Sequence, residues 1–179
     1  MRLIEAMKET KSTLRKMEDL RKKISQYCAD LDCMQPTYGS PEEQKKKISE
    51  WLQSHNSLAL KLTDLKKAIQ LTNLKTSVTI KVGDNDVIRS IAEWVIRRRE
   101  IIDLQLLAYN DLSDKGLAER GLRAIGNVEE TKRLSSARVR FYFDASDRDR
   151  NIEILKNEKE SIDKALEIVN ATTELLSVI

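Results

Sequence analysis

Apolar residues in the first part of the chain recur at alternating intervals of four and three. From 3 to 34 they stand at Leu3, Met7, Leu14, Met17, Ile24, Cys28 and Leu31, with Thr10 and Arg21 in the intervening seam positions. A 3.5-residue repeat sustained over about four heptads predicts a helix with a coiled-coil seam. The face opposite carries Lys8, Lys11, Arg15, Lys22 and Lys23 and reads as solvated. Gln35 to Gly39 breaks the pattern, and a second helix over 41–72 opens at Ser40-Pro41-Glu42-Glu43. Ser40 stands as N-cap, Pro41 as first helical residue, and Glu43 completes a capping box. The second seam runs Ile48, Leu52, His55, Ala59, Leu62, Leu65, Ile69. A short break between two long seams predicts an antiparallel helical hairpin.

The period then changes. Residues 76–82 alternate and are β-branched, with Val78, Ile80 and Val82 on one side, which predicts a strand ending at Gly83-Asp84. A second strand is expected over 137–143, where Arg138 and Arg140 share one face and Phe141, Tyr142 and Phe143 cluster. Between them a third helix is expected over 87–112, apolar on more than one stripe and so central to a bundle. A fourth is expected over 147–176, with Ile152, Leu155, Lys159, Ile162, Leu166, Val169, Thr173 and Leu176 in its seam. The fold class is therefore mainly α: one helical-bundle domain over 1–179, a two-stranded β element, and an irregular insertion at 113–135. Strands so far apart in sequence pair either by a long return of the chain or between copies, and Val78, Ile80, Val82, Arg138, Arg140, Phe141, Tyr142 and Phe143 on them are the candidate interaction residues.

Composition narrows the class without adding chemistry. Of 179 residues 34% are charged and 4% aromatic, with five Gly and two Pro, a profile of long amphipathic helices. A net charge of +3 does not by itself point to nucleic acid or an anionic membrane. No run of about 18 uncharged apolar residues offers a transmembrane helix. The N-terminus lacks the apolar core of a signal peptide, so a cytoplasmic site of synthesis is expected. Cys28 and Cys33, read as free thiols on one helix, fit a reducing compartment, with Cys28 packed in the seam.

Candidate chemistry is sparse. One His, at seam position 55, has no second ligand nearby to make a metal site, and no phosphate loop, nucleophile elbow or HExxH is present. No cofactor, metal or catalytic residue is expected. Lys45 to Lys47 and Arg97 to Arg99 fan around a helix axis and form no single patch. Arg138, Arg140 and Tyr142 are the candidates for an anionic partner or RNA, although Asp144, Asp147 and Asp149 stand beside them. Asn73, at the end of helix two, and Asn170 and Thr172, near the end of helix four, are placed to bond backbone groups of neighbouring segments.

Thr72-Asn73-Leu74-Lys75-Thr76, the following Gly83, Ile91-Ala92-Glu93 with Arg97 to Arg99, and the phrase Val169-Asn170-Ala171-Thr172-Thr173-Glu174-Leu175-Leu176 resemble the septicolysin-like family of small bacterial and phage proteins. The resemblance implies a helical hairpin protein that oligomerises, often encoded in phage or prophage; the family's name implies a cytolysin. The expectation is a non-catalytic structural or interaction protein, a homo-oligomer, with other assembly proteins of a virion as partners and a ring or connector piece as its concrete form. A membrane-active protein and a nucleic-acid-associated factor are the alternatives.

Overall fold

The computed structural model describes residues 1–119 and 139–176. The protein is mainly helical, with a long helical hairpin and one small antiparallel sheet. Its elements are α1 (Leu3–Tyr27), α2 (Pro41–Lys75), β1 (Ser77–Val82), β2 (Asn85–Ser90), α3 (Ile91–Ile96), a π-helical turn (Arg97–Ile101), α4 (Ile102–Asn110), α5 (Lys115–Glu119) and α6 (Ala145–Thr172). Two compact units form, Met1–Ser77 with Glu167–Ile179, and Val78–Leu166.

In the first unit α1 lies against α2. The buried line of α1 runs through Leu3, Ala6 and Thr13, one position before the expected Met7 and Leu14, which stay exposed. Thr10, half-buried between Ala6 and Thr13, donates its hydroxyl to Ala6 O at 2.9 Å. On α2 the inward residues include Gln44, Leu65, Ala68 and Thr72, while Leu52 is exposed and Trp51 takes the neighbouring half-buried place. α1 ends at Tyr27, well before position 34, so Cys28 is an exposed C-cap residue and Cys33 lies beyond the helix. The reason is local: Tyr27, Tyr38 and Trp51 form a cluster with ring centroids 5.3–6.0 Å apart. Buried Gln44 fixes it by donating to Tyr27 O at 2.8 Å and accepting from Tyr38 N at 3.1 Å. The capping box appears as expected, with Glu43 N donating to Ser40 Oγ and Ser40 N to Glu43 Oε2. Gly39, at φ 90°, precedes it; a Cβ there would stand 2.0 Å from Glu43 Oε2.

The last residues complete this unit. Leu3 N donates to Thr173 O, Leu175 N to Met1 O, and Arg2 bridges Glu174 antiparallel. Thr72, fully buried, donates to Ala68 O at 2.8 Å and accepts from Leu176 N at 2.9 Å. Thr72→Val keeps the shape but removes that acceptor, and is expected to cost about 1 kcal/mol. The check is amide exchange at Leu176, which should quicken while exchange in the middle of α2 stays unchanged.

In the second unit the sheet is a local hairpin. β1 pairs with β2 across Gly83-Asp84, and Gly83, at φ 60°, supplies the left-handed first position that a two-residue II′ turn requires. The strand expected at 137–143 is not formed at 139–143, and 137–138 lie outside the described residues. Closing two residues costs far less chain entropy than returning some fifty, so β2 takes the partner position. The helix expected from 87 consequently starts at Ile91. Ser90 caps it: Glu93 N donates to Ser90 Oγ, and Ser90 N and Oγ both donate to Glu93 Oε2. Of the expected insertion at 113–135, Lys115–Glu119 is a short helix and 120–135 lie outside the described residues. No helix among the described residues is long and apolar enough to cross a membrane.

The side-chain bond from Ser90, then its backbone bond, hold the Glu93 carboxyl below its ordinary value of 4.5. A pKa depressed by folding adds stability above the unfolded value, and that stability is lost as pH falls through the folded one. Protection of the first amides of α3 is therefore expected to fade as pH drops below 4.5, before the core of α4 loosens. Exchange measured residue by residue between pH 6 and 3 checks it.

Candidate functional site

The segment Ile91–Asn110 is apolar on both its inner and its outer side. Its inner side buries Ile91, Trp94 and Ile102, and Trp94 Nε1 donates to Val78 O at 3.0 Å. Beside these apolar anchors stand charges. Arg97 grips Glu158 of α6 with two nitrogens, Nε on Oε1 and Nη2 on Oε2, the latter at 2.6 Å. Glu158 is only 3% exposed. Arg98 pairs with Asp163, and Lys159 with Asp103 at 2.5 Å. The bond to Glu158 raises the Arg97 guanidinium above its usual value, against the opposing effect of burial. Leu155, Ile162 and Leu166 complete the buried face of α6.

The π turn at Arg97–Ile101 lies within this charged stretch. It inserts about one extra residue per turn relative to an α-helix and is a feature frequent at functional sites. Arg97 and Arg98 both reach α6, and the apolar residues around them face away. Ile96, Ile101, Leu104 and Leu107 are all exposed, Leu104 by 62% and Leu107 by 60%. Glu100 and Asp111 are exposed on the same segment, and among the described residues neither carboxylate takes part in an ion pair.

The aromatic segment is a second feature. Phe141 and Phe143 stack edge to face at 5.2 Å, Arg148 lies 5.6 Å above Phe143 and donates to Leu112 O at 3.0 Å, and Tyr142 is 90% exposed. A cavity of about 470 Å³ runs past Arg140, Phe141 and Tyr142, with Asp111, Ser113 and Asp114 opposite. Among the described residues its lining mixes one arginine with two aspartates and forms no continuous cationic track for phosphates. Arg138 lies outside the described residues.

Val78, Ile80 and Val82 share one side of β1, with Ile80 buried in the unit's core and Val78 and Val82 half-buried. At the α2 terminus the locking residue is Thr72; the buried Oδ1 of Asn73 has no partner among the described residues. Thr172 bonds its own helix at Ile168 O, 2.9 Å away, and Asn170 is half-buried beside it. The tail does lock onto α2, through the backbone of Leu176. His55 is half-buried in the α1–α2 seam. Among the described residues no three His, Cys, Asp or Glu side chains stand together as a metal site.

No protein-family model matches the chain, and no curated protein matches it. It is similar to a crystal structure of a functionally unknown conserved protein from Corynebacterium diphtheriae, with 20% identity and a TM-score of 0.54, over 98% of this chain and 99% of that one. At that identity the likeness speaks for the fold alone.

Proposed function

We propose that the chain is a non-catalytic structural protein that works as a homo-oligomer, using the outer side of Ile91–Asn110 as a contact surface between copies. The supporting observation is that this segment is apolar on both sides: Ile91, Trp94 and Ile102 are buried, while Ile96, Leu104 and Leu107 are left in water. Burying apolar area contributes about 25 cal/mol per Å², so covering the outer residues is favourable. The resemblance to the septicolysin-like family supports the finer version, a ring- or connector-type virion component with other assembly proteins as partners.

Light scattering behind a sizing column tests the reading. A defined oligomer that dissociates when Leu104 and Leu107 are both changed to Ser supports it, and a monomer at about 100 µM overturns it. The same apolar side favours one other reading, insertion into lipid as a membrane-active protein. Dye release from anionic and neutral liposomes separates the two: release by the wild type and not by the Ser variant selects the membrane.

A further inference from the structure

The loop that follows α1 holds the chain's two cysteines, Cys28 and Cys33, and both thiols are exposed. Free cysteine is among the most buried residue types, so two of them in water on one loop are unusual. On a continued helix their spacing would set them about 140° apart around the axis, where they could not meet. α1 stops at Tyr27 and releases them from that geometry. The chain then forms no helix or strand until Pro41, and Met34 N, donating to Leu31 O at 2.9 Å, closes a turn that bends it at Asp32-Cys33.

The ends of this loop are pinned independently of its middle. Buried Gln44 holds both Tyr27 O and Tyr38 N with one amide, and the two tyrosine rings lie 5.3 Å apart against Trp51. A rearrangement between those two clamps leaves the α1–α2 hairpin in place. Cys28 is lightly held, its Sγ lying 3.7 Å from Ser25 O. A disulfide needs Cα atoms about 4.4–6.8 Å apart, a span that the four residues between Cys28 and Cys33, outside any helix, bridge by folding back.

We propose that Cys28 and Cys33 form a reversible disulfide, closed by hydrogen peroxide and reopened by a small thiol. One thiolate attacks a peroxide oxygen; the O–O bond breaks, a sulfenic acid forms and one water leaves. The other thiol attacks that sulfur, the S–S bond forms as the S–O bond breaks, and a second water leaves. The two thiols lose two electrons and two protons, and the peroxide takes both. A small thiol reverses the step by two exchanges through a mixed disulfide. Closure fixes Asp30, Leu31 and Asp32 inside the ring, and these three line a cavity of about 380 Å³ opposite Gln44, Lys45 and Ile48. The redox state of the pair therefore sets the shape of that wall, whatever the oligomeric state of the chain.

Mass spectrometry of the full chain after treatment with excess hydrogen peroxide tests it. One tryptic peptide, 24–45, carries both cysteines, so the ring appears there as a loss of two hydrogens with no link to another chain. Dithiothreitol should restore both thiols. Cys28→Ser and Cys33→Ser, each at an exposed position, have no second thiol and should pass on to sulfinic acid, a gain of two oxygens. The wild type should show roughly tenfold less of that product, because ring closure intercepts the sulfenic acid. Far-ultraviolet circular dichroism of the oxidised chain should match that of the reduced one. A wild type that goes to sulfinic acid or to interchain dimers as readily as the Ser variants overturns the pairing. A ring that forms only with loss of helix overturns the pinned loop, and one that dithiothreitol does not open overturns the reversible switch.

Discussion

Trp94→Ala is expected to lower the unfolding free energy by about 3–5 kcal/mol, the range for emptying a fully buried aromatic site. Trp94 has no exposed surface, and its indole joins two elements: the ring packs under α3 while Nε1 holds the carbonyl of Val78 in β1. Arg89 covers the ring, 5.3 Å from its centroid. Trp94→Phe keeps most of the volume but strands the Val78 carbonyl, so a smaller loss of about 1–3 kcal/mol is expected. Denaturant unfolding followed by the Trp51 signal in one unit and by far-ultraviolet circular dichroism in both will read it. Equal losses for the two variants would mean that the hydrogen bond, not the ring volume, carries the site.

Glu158→Ala is expected to cost about as much, 3–5 kcal/mol, by a different route. The carboxylate is nearly out of water and grips Arg97 at two points, and the Arg97 side chain is only 19% exposed. Deleting one partner of such a pair leaves a charge desolvated and uncompensated. Replacing both, as Arg97→Met with Glu158→Leu, is expected to recover most of the loss, because well-packed apolar groups substitute for a buried pair at little cost. Lys159 and Asp103, 34% and 50% exposed, form the control: breaking that pair should cost no more than about 1 kcal/mol and respond to salt. A double replacement as damaging as Glu158→Ala would show that the pair does more than neutralise itself.

Much of this fold is legible in the residues. The seams, the break at 35–39 and the capping box at Ser40–Glu43 give the helical hairpin before any coordinates. Along part of α1 the buried line lies one position from the hydropathy seam: Met7 and Leu14 are more hydrophobic than Ala6 and Thr13, and hydropathy alone does not report which side of the helix meets α2. β2 was hidden by Val87 and Ile88, which continue smoothly into the apolar run of the third helix. Two signals do mark it: Gly83-Asp84 is a two-residue hairpin turn, and Ser90-x-x-Glu93 is a helix start as clear as the one at Ser40. The ion pairs to α6 are harder to see. Arg97 and Arg98 adjoin in sequence and diverge by about 100° on an α-helix, and no residue pattern here announces the π turn in which they stand or the partners they meet on α6. At the end of α2 the sequence pattern points to Asn73, the commoner helix terminator, whereas the buried site is filled by the hydroxyl of its neighbour Thr72.

The bond from Leu176 to Thr72 joins residues 104 positions apart, and Leu3 waits even longer for Thr173. Protein synthesis delivers them in order, at about 5–20 residues per second. The first hairpin thus emerges with its α1–α2 seam available but its closing strand still unmade, for roughly 5–20 s. During that interval the Thr72 hydroxyl and the Leu3 amide face water or whatever chaperone holds the nascent chain. Folding of this unit is therefore a two-act process, a zipper that forms early and a clasp that arrives last.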